Sequence, residues 1–97
     1  MRIEDGATVE GPAFLDDGTV VRAGARVGHY AVLGRGCQVE AGAHVADSIV
    51  WANGRIGQDA SVTGAIAGRH VHVGRGVVVR AGAVLGDKTA LTDHSRV

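Results

Sequence analysis

Few residues in this chain carry reactive groups, and their spacing limits what they can do. The histidines are His29, His44, His70, His72 and His94. In the six-residue repeat described below, His29 lies two positions after Val27, and Asp47 lies two after Val45, one coil higher. The pair is then separated by one strand spacing, about 4.8 Å. A carboxylate that orients an imidazole is a general-base arrangement, so His29 and Asp47 are candidates only, and no catalytic residue is assigned. The plainer reading is an exposed ion pair worth about 0–1 kcal/mol, with the other histidines as solvated surface residues. His70-x-His72 would set two rings on one side of a strand. Two ligands without a third do not make a structural zinc site, so no metal site is assigned. Gly34-Arg35-Gly36 and Gly74-Arg75-Gly76 mimic phosphate-cradling loops, yet no strand–loop–helix unit surrounds them. No nucleotide or other cofactor site is assigned in this chain. The single cysteine, Cys37, excludes an intrachain disulfide or a cysteine-based zinc cluster and reads as an inert core thiol.

These residues must be positioned by a chain of unusual composition. Of 97 residues, nearly half are Gly, Val or Ala, and only Phe14, Tyr30 and Trp51 are aromatic. A core anchored on large side chains is excluded, while 45% hydrophobic content argues against disorder. Zero net charge and a single lysine leave no electrostatic footprint for nucleic acid. No apolar run approaches the roughly 18 residues of a membrane span. The start, Met1-Arg2-Ile3-Glu4-Asp5-Gly6, lacks the apolar region of a signal peptide. A cytoplasmic chain with no membrane partner is the expectation.

A six-residue period organises the whole chain. From Ile3 it lands on Val9, Leu15, Val21, Val27, Leu33, Val39 and Val45. After one missing residue it resumes at Val50, Ile56 and Val62, and after another at Ala67, Val73, Val79, Leu85, Leu91 and Val97. Four positions after most register residues sits a small side chain, such as Ala7, Ala25, Cys37, Ala43 or Ala60. Glycines cluster one or three positions after the register, where a positive φ is expected. Neither helical periodicity nor two-residue alternation gives this pattern. An inward aliphatic column beside an inward small column describes a single all-β triangular solenoid over residues 1–97. Three hexapeptides form each of about five coils, stacked on the order of 25 Å tall.

The short hexapeptides, 45–49 and 62–66, test this geometry. They are three hexapeptides apart and so stack in neighbouring coils, each preserving the other's strand pairing. The shortening is read as moving Ile49 and Ile66 into the inward small column, where they touch. They join Val21, Val39, Ile56 and Val73 as structural core. Trp51, flanked in the stacked register by Gly34 and Gly68, is expected on the outer wall as an interface anchor. Phe14 and Val32 are expected to stack on another corner and to share in that interface. The register runs from Ile3 to Val97 with no capping helix. Solenoid ends need cover, so a longer protein or partner subunits are expected to supply it.

The repeat aliphatic-Gly-x-x-small-x resembles the hexapeptide-repeat family, and the resemblance implies a left-handed parallel β-helix. Three segments are more specific: Ser48-Ile49-Val50-Trp51-Ala52-Asn53-Gly54-Arg55-Ile56-Gly57, Ala65-Ile66-Ala67-Gly68-Arg69-His70-Val71-His72-Val73-Gly74, and Gly82-Ala83-Val84-Leu85-Gly86-Asp87. They are similar to the C-terminal β-helix of sugar-nucleotide pyrophosphorylases of the mannose-1-phosphate guanylyltransferase type. That resemblance implies a separate α/β domain that binds nucleotide and Mg²⁺ and carries out nucleotidyl transfer. None of that domain's catalytic residues maps onto this chain. The expected role is assembly or regulation, with partners being further copies or a catalytic domain of the same polypeptide. The chain alone is expected to be inactive. The alternatives are a stand-alone hexapeptide acyltransferase with active sites at trimer interfaces, for which His29 is the candidate, and a purely structural repeat module. Gly28-His29 also resembles the start of the Gly-His-x-x-x-x-His segment of γ-class carbonic anhydrases. Gly34 stands where the second histidine would fall.

Overall fold

The computed structural model describes residues 2–97. Sixteen short strands, from Arg2–Ile3 to Ala90–Leu91, follow one another at the six-residue spacing. Each pairs in parallel with the strand three positions on, giving one six-stranded and two five-stranded sheets. These sheets are the three faces of a prism whose Cα extents are 28 × 20 × 19 Å. Within a strand one residue points in and the next points out. The inward residues are the register aliphatics, and from Val21 to Val79 they are almost entirely buried. Val21, Val39 and Ile56 are at most 1% exposed and Val73 is 3% exposed. Small residues such as Ala25, Ala31, Ala43 and Ala60 fill the corners between them. Each fully buried Val or Leu contributes about 1.5–3 kcal/mol by leaving water, so many small side chains replace a few large ones.

The two glycine columns have different causes. Those three positions after the register, such as Gly18, Gly24 and Gly42, have φ between 73° and 76°, a region costly for residues with a Cβ. Those one position after the register do not have positive φ; except at Gly86, they are set by close approach instead. A Cβ on Gly57 would sit 2.6 Å from the carbonyl carbon of Gly74 and from the carbonyl oxygen of Val73.

The short hexapeptides do stack: Ile49 pairs with Ile66 and Val45 with Val62. Their effect on side-chain direction differs from the sequence expectation. Ile49 and Ile66 are 39% and 44% exposed and are not core residues. The missing residue is lost from the corner, ahead of the small column. Ser48 and Ala65 therefore take the inward small positions, and both are buried. At the first shortened corner the Ser48 Oγ donates to the Ala46 carbonyl at 2.8 Å and accepts from the Ala65 amide at 3.2 Å. Val50 and Ala67 remain inward, so the isoleucines before them must point out.

Candidate functional site: an apolar outer face

The outward residues of the three faces differ sharply in chemistry. The first face carries Arg2, Val20, Gln38, Arg55, His72 and Ala90. The second carries Thr8, Arg26, His44, Ser61 and Val78. The third carries Phe14, Val32, Ile49, Ile66 and Val84, five stacked rungs without a polar side chain. Their exposures run from 36% for Val32 to 72% for Val84. Phe14 and Val32 pair directly, but they lie on this face rather than on a separate corner.

Trp51 stands at the edge where these strands leave the face. The pairing of Leu33 with Val50 and of Val50 with Ala67 places Gly34 and Gly68 on either side of it. Its indole is 52% exposed. A groove of about 310 Å³ runs beside it, lined by Phe14, Val32, Ile49 and Trp51 and rimmed by Arg35 and Arg69. Tyr30, 67% exposed, marks the opposite edge. Scattered exposed apolar residues are ordinary, but here seven of ten large ones among the described residues fall on one face or its edges. A contiguous patch of that kind marks an interaction surface.

His29 and Asp47 are stacked, since the Asp47 amide donates to the His29 carbonyl at 2.9 Å. Their side chains do not pair: among the described residues no carboxylate lies within 4.0 Å of His29. His29 Nδ1 is 2.7 Å from the Gly11 carbonyl of the coil below. Asp47 takes a left-handed backbone, φ 50°, at the shortened corner, which sets its direction apart from that of an extended strand. His70, with φ 56°, sits at a corner while His72 faces out from a strand, so they do not form the pair their spacing predicts. Among the described residues no cluster of three His, Cys, Asp or Glu side chains is placed to hold a metal. Among them, too, no helix is long and apolar enough to cross a membrane.

Cys37 is buried, with its thiol 3.1 Å from the Trp51 carbonyl. Burial pushes its pKa up, against smaller opposing effects from nearby backbone groups. A larger groove of about 470 Å³ on the first face is lined by polar and apolar groups alike, among them Glu40, Arg55, His72, Val73, Arg75 and Leu91. Glu40 meets Arg55 at 3.3 Å, and Asp93 accepts the Arg75 amide at 2.9 Å. Sequence reasoning missed Ile49, Ile66 and Val84 as one ladder, and Arg35 and Arg69 as its rim. The signal was present in the residue just before each register position, read every third hexapeptide.

A parallel three-faced coil on a six-residue register is a left-handed β-helix of the hexapeptide-repeat type. The family model for the EIF2B subunit epsilon LbH domain matches residues 1–97, and the chain belongs to that family. No curated protein matches it. Among solved structures, a perosamine N-acetyltransferase variant from Caulobacter crescentus, in complex with CoA and GDP-perosamine, is similar at 21% identity and a TM-score of 0.89; the match covers 98% of this chain and 46% of that one. A UDP-N-acetylglucosamine acyltransferase from Arabidopsis is similar at 14% identity and a TM-score of 0.66, covering 98% and 46%. The acetyltransferase domain of PglB from Neisseria gonorrhoeae is similar at 26% identity and a TM-score of 0.51, covering 93% and 53%. The chain thus spans about half the length of these structures.

Proposed function

We propose that this β-helix is an assembly module of a sugar-phosphate nucleotidyltransferase-like protein, acting through its third face and not through chemistry of its own. The observation that carries the reading is the unbroken ladder from Phe14 to Val84, edged by Trp51. An interface core of this composition, apolar with an aromatic anchor, fits stable association. The nucleotidyltransferase assignment rests on the three segments from Ser48 to Asp87 that resemble sugar-nucleotide pyrophosphorylases. Nucleotide, Mg²⁺ and the transfer step belong to a separate α/β unit. Incubating the purified chain with a hexose 1-phosphate, GTP and Mg²⁺ tests the non-catalytic half of the reading. No turnover is expected; steady formation of pyrophosphate would overturn it.

A second reading is favoured by one specific contact. The Gly11 carbonyl orients His29 through Nδ1, leaving the other ring nitrogen free to act as a base. Together with the acyltransferase fold neighbours, this supports an acyl-transfer site completed by another subunit. Binding of acetyl-CoA, with acetyl transfer abolished by His29→Ala, would establish that reading. Absence of binding at millimolar ligand would remove it.

A further inference from the structure

The corner between the first and second faces carries a charge ladder that stops short. One position after the register, Glu4, Arg22 and Glu40 stack in successive coils, with Arg22 bonded to Glu4 at 3.0 Å and lying 3.9 Å from Glu40. The next members of that column are Gly57 and Gly74. Side chains are excluded from both positions. A Cβ on Gly74 would lie 2.7 Å from the Leu91 carbonyl oxygen, and one on Gly57 would meet the Gly74 carbonyl. The ladder therefore gives way to the cleft of about 470 Å³, floored by bare backbone. That volume lies within the range of small-molecule sites. His29 and Trp51 stand at the other two corners, so this cleft is independent of the assembly reading and goes beyond it.

The groups around the cleft hold donors that the protein does not use. Glu40 is shared between Arg22 and Arg55, the latter through Nε at 3.3 Å. Each guanidinium brings more N–H donors than one shared carboxylate can accept. Arg75 is exposed and forms no ion pair among the described residues. His72, the strand partner of Arg55, faces out beside it and forms none either. Asp93 is the other acid of the lining, and one of its oxygens already accepts the Arg75 amide. Asp59 and His94 follow round the corner and do not line the cleft.

The backbone carries the same signal. Two positions after the register, the Ala23 amide donates to Glu4 at 3.0 Å and the Arg75 amide donates to Asp93 at 2.9 Å. Between these levels, the Ala41 and Gln58 amides donate to no acceptor among the described residues. This column of amides takes a carboxylate oxygen below the cleft and above it. At the cleft itself Glu40 is turned to the arginines instead. Glycine lets backbone approach a ligand closely, and arginine beside it suits the planar or tetrahedral oxygens of a carboxylate or phosphate. Ala90 and Leu91 add apolar wall for an organic remainder.

We infer that this cleft binds a small organic oxyanion, a phosphate ester or a polycarboxylate, with its charged group held by Arg55, Arg75 and the Gln58 amide over the Gly57–Gly74 backbone. The test is a titration of the full isotope-labelled chain, following amide chemical shifts, with glucose 6-phosphate, citrate and glucose as probes. Saturable shifts at Gln58 and Arg75 are expected with glucose 6-phosphate, with citrate or with both, and the probe that binds names the charged group. Neutral glucose should leave these amides in place. Arg75→Gln should weaken binding about ten-fold. Arg26→Gln removes the same charge from the second face and should leave binding unchanged. No shift at these amides with either anion at millimolar concentration, an equal response to glucose, or equal weakening by both substitutions would overturn the inference. Each of those results leaves the mass of the assembly, and with it the assembly reading, standing.

Discussion

Ile49 stacks on Ile66 across the two shortened coils, and both side chains point away from the core. The stacking preserves the ladder, while the outward direction makes the pair part of a surface. Compared at concentrations low enough for the chain to be monomeric, Ile49→Lys and Ile66→Lys should therefore change stability little, within about 1 kcal/mol. Leu33→Ala, fully buried on a neighbouring strand of the same sheet, should cost about 2–5 kcal/mol. Chemical denaturation of the three variants checks this contrast. Equal losses for Ile49→Lys and Leu33→Ala would contradict the outward assignment.

The glycines one position after the register should divide by contact. Gly57→Ala forces a Cβ against the Gly74 and Val73 carbonyls of the next coil, and overpacking of this kind costs about 1–3 kcal/mol. Gly86 would meet nothing within 4 Å and has no positive φ, so Gly86→Ala should be neutral or stabilising by up to about 1 kcal/mol. Melting temperatures should fall for the first substitution and hold or rise for the second.

A charge ladder on the first face sets an acid limit. Arg22 donates to Glu4 at 3.0 Å and the Ala23 amide donates to its other oxygen at 3.0 Å. These bonds, with the Arg22 bond the larger, hold the Glu4 carboxyl below the ordinary glutamate range. A depressed folded-state pKa stabilises above the unfolded value and loses that contribution as pH falls through the folded one. Stability should thus decline below about pH 4.3, the ordinary glutamate value, and less steeply in Glu4→Gln. Urea midpoints between neutral and strongly acid pH measure the difference.

Cys37 should be chemically silent in the folded chain. Its thiol is buried and its pKa is raised by that burial, and the thiolate is the reactive form. Iodoacetamide at neutral pH should modify it only when denaturant opens the coils. Rapid labelling of the native protein would contradict the packing described.

The period of six made the faces, coils and stacked deletions legible, because every inward position repeats the same steric demand. Ile49 and Ile66 were misplaced because counting forward from Val45 and Val62 cannot say which residue of a shortened corner is missing. The burial of Ser48 and Ala65, beside exposed Ile49 and Ile66, supplies that answer. The His29–Asp47 stacking followed from the register, but the side-chain contact did not. Left-handed backbone at Asp47 and the Gly11 carbonyl beside His29 are both local facts that spacing does not encode. The apolar face escaped notice because its members are 17 or 18 residues apart and become neighbours only after coiling.

The central claim, that the third face exists to be covered, is tested most directly by molar mass in solution. Sedimentation equilibrium of the unmodified chain should give a mass at least twice its 9.9 kDa, falling to the monomer value in Ile49→Lys with an unchanged circular dichroism spectrum. A monomer at every concentration, or an oligomer indifferent to Ile49→Lys, would contradict the account.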